Sequence, residues 1–273
     1  MLSATVEGIG FWSRGLPSWD TARAFATGGA LPDSAPSRPS PQLLPPNERR
    51  RAPDTVAVAL EVALAACHAA GRDPKTLPSV FASTHGELSI TDYMCSTLAA
   101  QPEAVSPTRF HNSVHNAAAG YWTIGAGAMQ PATAISAFDA SFAQGLLETL
   151  TQLATGSEAV LLVGYDATTV GPLETVSRSE GLLGGALLLS RTPRVGAPKL
   201  QIELVDGVVD RSSDDCAPLF RHGANNAMAP MLPLFDALAA IDARVPSPVL
   251  LPAGPGRVLR VAIETVTTEH AHG

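Results

Sequence analysis

Aromatic side chains are scarce, 5% of 273 residues, and charged ones reach only 16%. With so few aromatic faces, the chain lacks the stacking platforms that single-stranded nucleic acids need. A formal charge of −7 also argues against a nucleic-acid partner, because neutralised phosphates supply much of that affinity. The three cysteines, Cys67, Cys95 and Cys216, are odd in number, widely spaced and without a CxxC pair. That spacing indicates neither a zinc knuckle nor a disulfide framework. The apolar runs at 159–163 and 186–189 are far shorter than the roughly 20 residues a membrane-spanning helix requires. The N-terminus has no basic segment followed by an uninterrupted apolar one, so no signal peptide and a soluble, cytoplasmic protein are expected. What is present is a 45% hydrophobic composition on a chain long enough for a sizeable core. That balance excludes disorder over the whole length.

Prolines and serines dominate residues 31–47, which predicts an extended loop. Arg49, Arg50 and Arg51 follow as a solvated basic patch at its exit. Asp54 is placed to cap a helix over 55–70 that Gly71 ends. Val56, Leu60, Ala63, Leu64 and Cys67 recur there at helical spacing, so Cys67 is expected in the core. Compact apolar segments at 4–10, 79–83, 133–137, 159–163, 186–190, 200–205 and 258–266 read as strands. Helices are expected over 90–100, 141–155 and 231–241, and the alanine-rich 112–126 reads as a single buried helix. Residues 211–229 read as polar and irregular, and no internal repeat is present. Strand, helix and strand alternating with short connections predict an α/β protein with parallel βαβ layers.

Candidate chemical motifs are mostly incomplete. His111 and His115, four apart, are placed to share a helical face as zinc ligands do, but no HExxH pattern or third ligand accompanies them, so no metal is expected. Ser83 with His85 and Ser113 with His115 are separated by one residue, which is not how nucleophile and base usually meet, and no GxSxG elbow is present. Gly125-Ala126-Gly127 and Gly254-Pro255-Gly256 complete no dinucleotide fingerprint, so no cofactor is expected.

Several segments, in order, resemble one family. Glu7-Gly8-Ile9-Gly10 resembles the first-strand turn of thiolase-like ketosynthases. Leu44-Pro45-Pro46-Asn47-Glu48-Arg49-Arg50-Arg51 resembles the approach to their first long helix. Val80-Phe81-Ala82-Ser83, His85-Gly86-Glu87 and Ser106-Pro107-Thr108-Arg109-Phe110-His111-Asn112-Ser113-Val114-His115-Asn116 are similar to a shorter branch. That branch is the ketosynthase N-terminal-domain-like proteins found beside aryl-polyene and xanthomonadin-type pigment enzymes, regarded as chain-length-factor-like subunits. The likeness covers residues 4–205 and is faint beyond.

The resemblance implies a thiolase-like, layered α-β-α fold. Its N-terminal half would be essentially complete in 1–205, and its truncated C-terminal half, 206–273, would pack on the same domain. Ketosynthases carry their nucleophilic cysteine at a strand-to-helix elbow, where the helix N-terminus favours the thiolate. The matching junction here is Ile135-Ser136-Ala137-Phe138-Asp139-Ala140-Ser141, and without gaps the cysteine position falls to Asp139. A carboxylate there cannot replace the thiolate in transacylation. Chain length factors also lack the cysteine, usually having glutamine. The two ketosynthase histidines have no counterpart: His222-Gly223 supplies only an HG pair, and His270 and His272 lie near the C-terminal end. Asp139 keeps two readings, a helix cap or a chemical role.

The expectation is therefore a non-catalytic subunit paired with a full-length ketosynthase, with acyl carrier protein met indirectly and neither nucleic-acid binding nor membrane insertion. The resemblance implies pairing through the strand Thr133, Ala134, Ile135, Ser136 and Ala137, with a homodimer as the competing assembly. It makes Phe110, His111, Val114, His115 and Phe138 candidates for tunnel or interface positions. The alternative function is an acyl-thioester hydrolase or decarboxylase using Asp139 with His111 or His115. A weaker one is a scaffold that docks acyl carrier protein through Arg49, Arg50 and Arg51.

Overall fold

Alternation along the central strands sets the layering. The computed structural model describes residues 2–209, 217–242 and 247–267. Its strands are β1 (Leu2–Ser13), β2 (Ser79–Ala82), β3 (Ala132–Ile135), β4 (Ala159–Asp166), β5 (Leu183–Ser190), β6 (Pro198–Asp206), β7 (Val249–Gly254) and β8 (Arg257–Thr265). They form one sheet of order β3-β2-β4-β5-β1-β6-β8-β7. β2 pairs in parallel with β3 and β4, and the remaining pairings are antiparallel. The expected parallel βαβ unit is therefore present, inside a mixed sheet.

Nine helices accompany the sheet among the described residues: α1 (Trp19–Ala26), α2 (Pro46–Arg51), α3 (Asp54–Ala70), α4 (Leu88–Ala100), α5 (Pro107–Asn112), α6 (Ala117–Ala126), α7 (Ser141–Ala154), α8 (Pro218–Gly223) and α9 (Leu232–Ala239). On β4 and β5, Val160, Leu162, Leu187 and Leu189 join a core with α7 and α9. Their neighbours Leu161, Val163, Ala186 and Leu188 join the opposite core with α3 and α6. Successive side chains of a strand face opposite sides, so a strand covered on both faces must be apolar throughout. β4 and β5 are buried along their whole length, and the result is the thiolase-like α-β-α layering.

α3 lies almost in backbone contact with the sheet. A Cβ on Gly10 would fall 2.0 Å from the Val62 carbonyl oxygen, and one on Gly8 2.1 Å from that of Ala66. On β5, a Cβ at Gly184 would meet Val58 Cγ2 at 2.7 Å. Val58, Val62 and Ala66 form one four-residue ridge of the helix, so the glycines are the groove that receives it. The opening Glu7-Gly8-Ile9-Gly10 is thus a packing motif. Cys67 sits in the core as expected, its thiol pushed up to about 12, first by burial and then by the charge of Asp73.

Several expectations change in detail. Asp54 is not the cap: Pro53 occupies that place with no side-chain bond, and the Asp54 carboxylate pairs with Arg38 at 2.8 Å. The single helix over 112–126 is two, α5 and α6, separated at 113–116. Ser113 Oγ donates back to the Phe110 carbonyl, and His115 Nε2 turns to the Ser83 carbonyl at 2.9 Å. Nor is α6 buried all round, since Ile124 is 80% exposed. The segment 211–229 contains α8, although 210–216, including Cys216, lie outside the described residues. His270 and His272 lie outside them too. β7 was not anticipated because it contains Pro252; it is an edge strand, where a missing N–H is tolerated.

The α8 N-terminus depends on a distant side chain. Asp236 of α9 accepts the Leu219 and Phe220 N–H groups at 2.9 and 3.0 Å. Burial nevertheless raises its carboxyl to about 6, against those two hydrogen bonds. The raised group holds its proton in the native state at a pH where the unfolded chain has released it. Its contribution is therefore complete below the unfolded value near 4 and lost as pH climbs through about 6. Against Asp236→Asn, the unfolding free energy of the wild type should fall by up to about 3 kcal/mol between pH 4 and 7. Urea titrations of both proteins across that range measure it, and a flat difference would contradict it.

Candidate functional site

Three connections meet at the carboxyl ends of β2, β3 and β4, where open α/β sheets place their ligands. β2 runs into Ser83-Thr84-His85-Gly86, and β4 ends on Asp166, which is wholly buried. Asp166 Oδ1 accepts Ser83 Oγ at 2.7 Å and the His85 N–H at 3.2 Å, while Oδ2 accepts the Thr84 N–H at 2.9 Å. Ser83 Oγ in turn accepts the Gly86 N–H at 2.8 Å. Burial raises the pKa of this carboxyl, and the three hydrogen bonds and the adjacent His85 oppose the rise.

His85 turns outward from the same loop. Its Nε2 stands 2.7 Å from Ser177 Oγ, and its Nδ1 faces Asp166 Oδ1 at 3.9 Å. That distance is too long for a hydrogen bond, and the buried Nδ1 has no other partner. Burial pushes the imidazole below its ordinary range, with the Asp166 charge opposing, so the ring is neutral near pH 7.

The elbow lies alongside. Beyond β3 the chain turns through Phe138, whose φ of 55° is the sole positive value at a non-glycine among the described residues. A bulky residue in that region costs on the order of 1–2 kcal/mol. Hydrogen bonds hold it there: the Phe138 carbonyl accepts Thr84 Oγ1 at 3.1 Å and Ser141 Oγ at 2.6 Å. Ser141 Oγ also accepts the Ala137 N–H, and Ser136 Oγ donates to the Thr84 carbonyl. The β2 loop and the elbow are therefore tied together.

Between them opens a cleft of about 420 Å³. Thr84, Phe138 and Asp139 form one wall, Val176, Ser177 and Arg178 another, and Asn225, Asn226 and Pro230 close it. Asp139 also borders a second hollow of about 310 Å³ beside Gly207, Val208 and Arg257. Its carboxylate is exposed and makes no hydrogen bond or ion pair among the described residues, and α7 has no side-chain cap.

The sequence candidates are spread over one region. Thr133, Ala134 and Ile135 lie on β3, while Ser136 and Ala137 follow its end. Phe110 and Val114 are exposed, as is Phe138. His111 packs edge-on to Tyr121, and His115 is engaged with Ser83; neither lines the clefts that Asp139 borders. Ser83 turns to Asp166 and Gly86, not to His85. Sequence reasoning missed Asp166, Ser177 and Asn226. An acidic residue ending a wholly apolar strand was the one available signal for Asp166; Ser177 reaches His85 from 92 residues away and left none. Among the described residues no group of three His, Cys, Asp or Glu is placed to hold a metal, and no helix is long and apolar enough to cross a membrane.

Comparison with solved structures finds the same architecture. A chain of the ketosynthase (ApeO) in complex with its chain length factor (ApeC) from Xenorhabdus doucetiae is 23% identical, with a TM-score of 0.73 over 96% of this chain and 100% of that one. A chain of the ishigamide ketosynthase/chain length factor is 15% identical, with a TM-score of 0.71 over 97% and 100%. A chain of AntDE:AntF, a type II polyketide synthase acyl-carrier protein in complex with its ketosynthase, is 10% identical, with a TM-score of 0.72 over 97% and 99%. No curated protein matches. The family model for the beta-ketoacyl synthase N-terminal domain matches residues 19–232, from α1 into α9, and the chain belongs to that family.

Proposed function

We propose that this chain is a non-condensing, chain-length-factor-like partner of a full-length ketosynthase in polyketide or fatty-acid-type synthesis of the aryl-polyene kind. The observation that supports the reading is the elbow, which exposes Phe138 and Asp139, the latter at the position that the family resemblance matches to the ketosynthase cysteine. Without a thiolate no acyl chain is transferred to this subunit for extension, and the reaction belongs to the partner. Phe138, strained and 59% exposed, is the side chain offered to the partner's acyl tunnel.

The surface beside β3 supports the assembly. β3 is an edge strand, bonded on one side to β2, and unpaired edges are natural pairing sites. Exposed Phe110, Val114, Ile124, Met129 and Phe138 all come from the segment flanking it. The three similar structures are complexes that include a ketosynthase, and their matched chains are covered nearly end to end.

Coexpression with a full-length ketosynthase from the same genome should yield a 1:1 complex on gel filtration, with product length altered when this chain is omitted. Ile124→Glu with Met129→Glu should weaken that complex at least about tenfold, since buried apolar anchors dominate interfaces. A self-paired dimer that excludes the ketosynthase, or unchanged products without this chain, would overturn the reading.

A further inference from the structure

His85 lies behind the cleft wall, in contact with the Ser177 that lines it and facing a buried carboxylate on its other side. We propose that Ser177, His85 and Asp166 form a hydrolytic site for acyl thioesters, bordered by the elbow but distinct from the condensing chemistry of the family. Serine hydrolases are recognised by geometry and not by order along the chain; here the serine–imidazole contact is made at 2.7 Å, while the carboxylate stands 3.9 Å from the ring and orients it through the loop backbone. Here the three residues come from three connections: the loop after β2, the end of β4 and the segment before β5.

The site requires the tautomer with its proton on Nδ1, the nitrogen that faces the Asp166 carboxylate at 3.9 Å. Nε2 is then the acceptor that takes the Ser177 hydroxyl proton at 2.7 Å. Asp166 is the positioning residue: its backbone contacts to Thr84 and His85 fix the loop that carries the ring. Burial keeps the imidazole unprotonated, and so able to accept a proton, at neutral pH. Ser177 lines the 420 Å³ cleft and is partly exposed. Phe138, Val176 and Pro230 give that cleft an apolar side for an acyl chain, and Arg178 and Glu180, paired with each other, line its polar side.

The chemistry balances with water as the sole co-reactant. Ser177 Oγ adds to the thioester carbonyl as its proton passes to His85 Nε2. The tetrahedral adduct collapses with cleavage of the C–S bond, and the leaving sulfur takes the proton from Nε2. Water then attacks acyl-Ser177, giving its proton to His85, which returns it to Ser177 Oγ as the carboxylic acid leaves. A subunit beside a ketosynthase that carries such a site would clear stalled or overlong acyl chains.

The test uses the purified chain and, separately, its complex with the ketosynthase carrying a Cys→Ala substitution at its own nucleophile. A fluorophosphonate probe should label the wild type on Ser177, located by peptide mass spectrometry, and Ser177→Ala should take no label. Hydrolysis of octanoyl-CoA and of octanoyl-carrier protein should fall at least about 100-fold in Ser177→Ala and in His85→Gln, the range expected for a lost general base. Ser177→Cys should retain an acyl adduct visible in the intact mass. Circular dichroism identifies any loss caused by misfolding of His85→Gln, while Ser177 sits on a partly exposed surface segment and stays decisive. Absence of labelling together with hydrolysis indifferent to Ser177→Ala, in both preparations, overturns the site. That result leaves complex formation untouched, so the two readings fail separately.

Discussion

Gly10→Ala should lower the urea midpoint and the soluble yield sharply. The added methyl would stand 2.0 Å from the Val62 carbonyl oxygen, 2.8 Å from its carbon and 3.0 Å from Val62 Cα, all backbone atoms. A side chain can rotate away from such a clash, but a helix can escape only by moving as a body. α3 is held from below at Gly8 and Gly184 and packs against α6 in the second core. Overpacking a core typically costs about 1–3 kcal/mol, and a clash with rigid backbone belongs at or above the upper end. Against a total stability of about 5–15 kcal/mol, that loss is large. Soluble yield and the urea midpoint measure it. Gly120→Ala is the internal control: it lies in α6 with nothing within 4 Å of the added Cβ. It should be neutral or stabilising by up to about 1 kcal/mol, because alanine is the better helix former. Equal behaviour of the two variants would mean that α3 does not rest on β1 in this way.

The same glycines show what was legible in the sequence. Strands buried on both faces, such as 159–163 and 186–190, announce themselves because they need apolar residues at every position. The long helix α3 was readable from its stripe and from Gly71, which ends it with φ 67°. β7 was not, because Pro252 argues against a strand until it is known to be an edge. The break between α5 and α6 was hidden for a related reason: local propensity favours a continuous helix, and the His115 to Ser83 contact that ends it is long-range. For the cleft, the elbow residues Phe138 and Asp139 and the segment Ser83, His85 and Gly86 were reached through the family resemblance. Ser177 and Asp166 had to wait for tertiary structure. Their meeting with His85 spans 92 and 81 residues, and no periodicity encodes such a contact.

Two aspartates, Asp139 lining the cleft and Asp166 buried beneath the loop that walls it, should differ sharply in the cost of their removal. Asp139→Ala should change stability by no more than about 0.5 kcal/mol, since its carboxylate is exposed and unbonded. Asp166→Ala should cost about 3–5 kcal/mol. It deprives the Ser83 hydroxyl and the Thr84 and His85 N–H groups of their acceptors, and an unsatisfied buried group costs about 1–3 kcal/mol. Asp166→Asn should fall between them. An amide keeps one acceptor oxygen, but its NH2 group must face either the Thr84 N–H or the His85 N–H, donor against donor. The damage should also travel, because Thr84 Oγ1 and the Thr84 carbonyl hold Phe138 and Ser136 at the elbow. Hydrogen exchange at 136–141 should therefore quicken in Asp166→Ala and stay unchanged in Asp139→Ala. Equal urea midpoints for the two alanine variants would mean that the buried carboxylate does not organise the cleft, and the strained Phe138 conformation would then need another source of support.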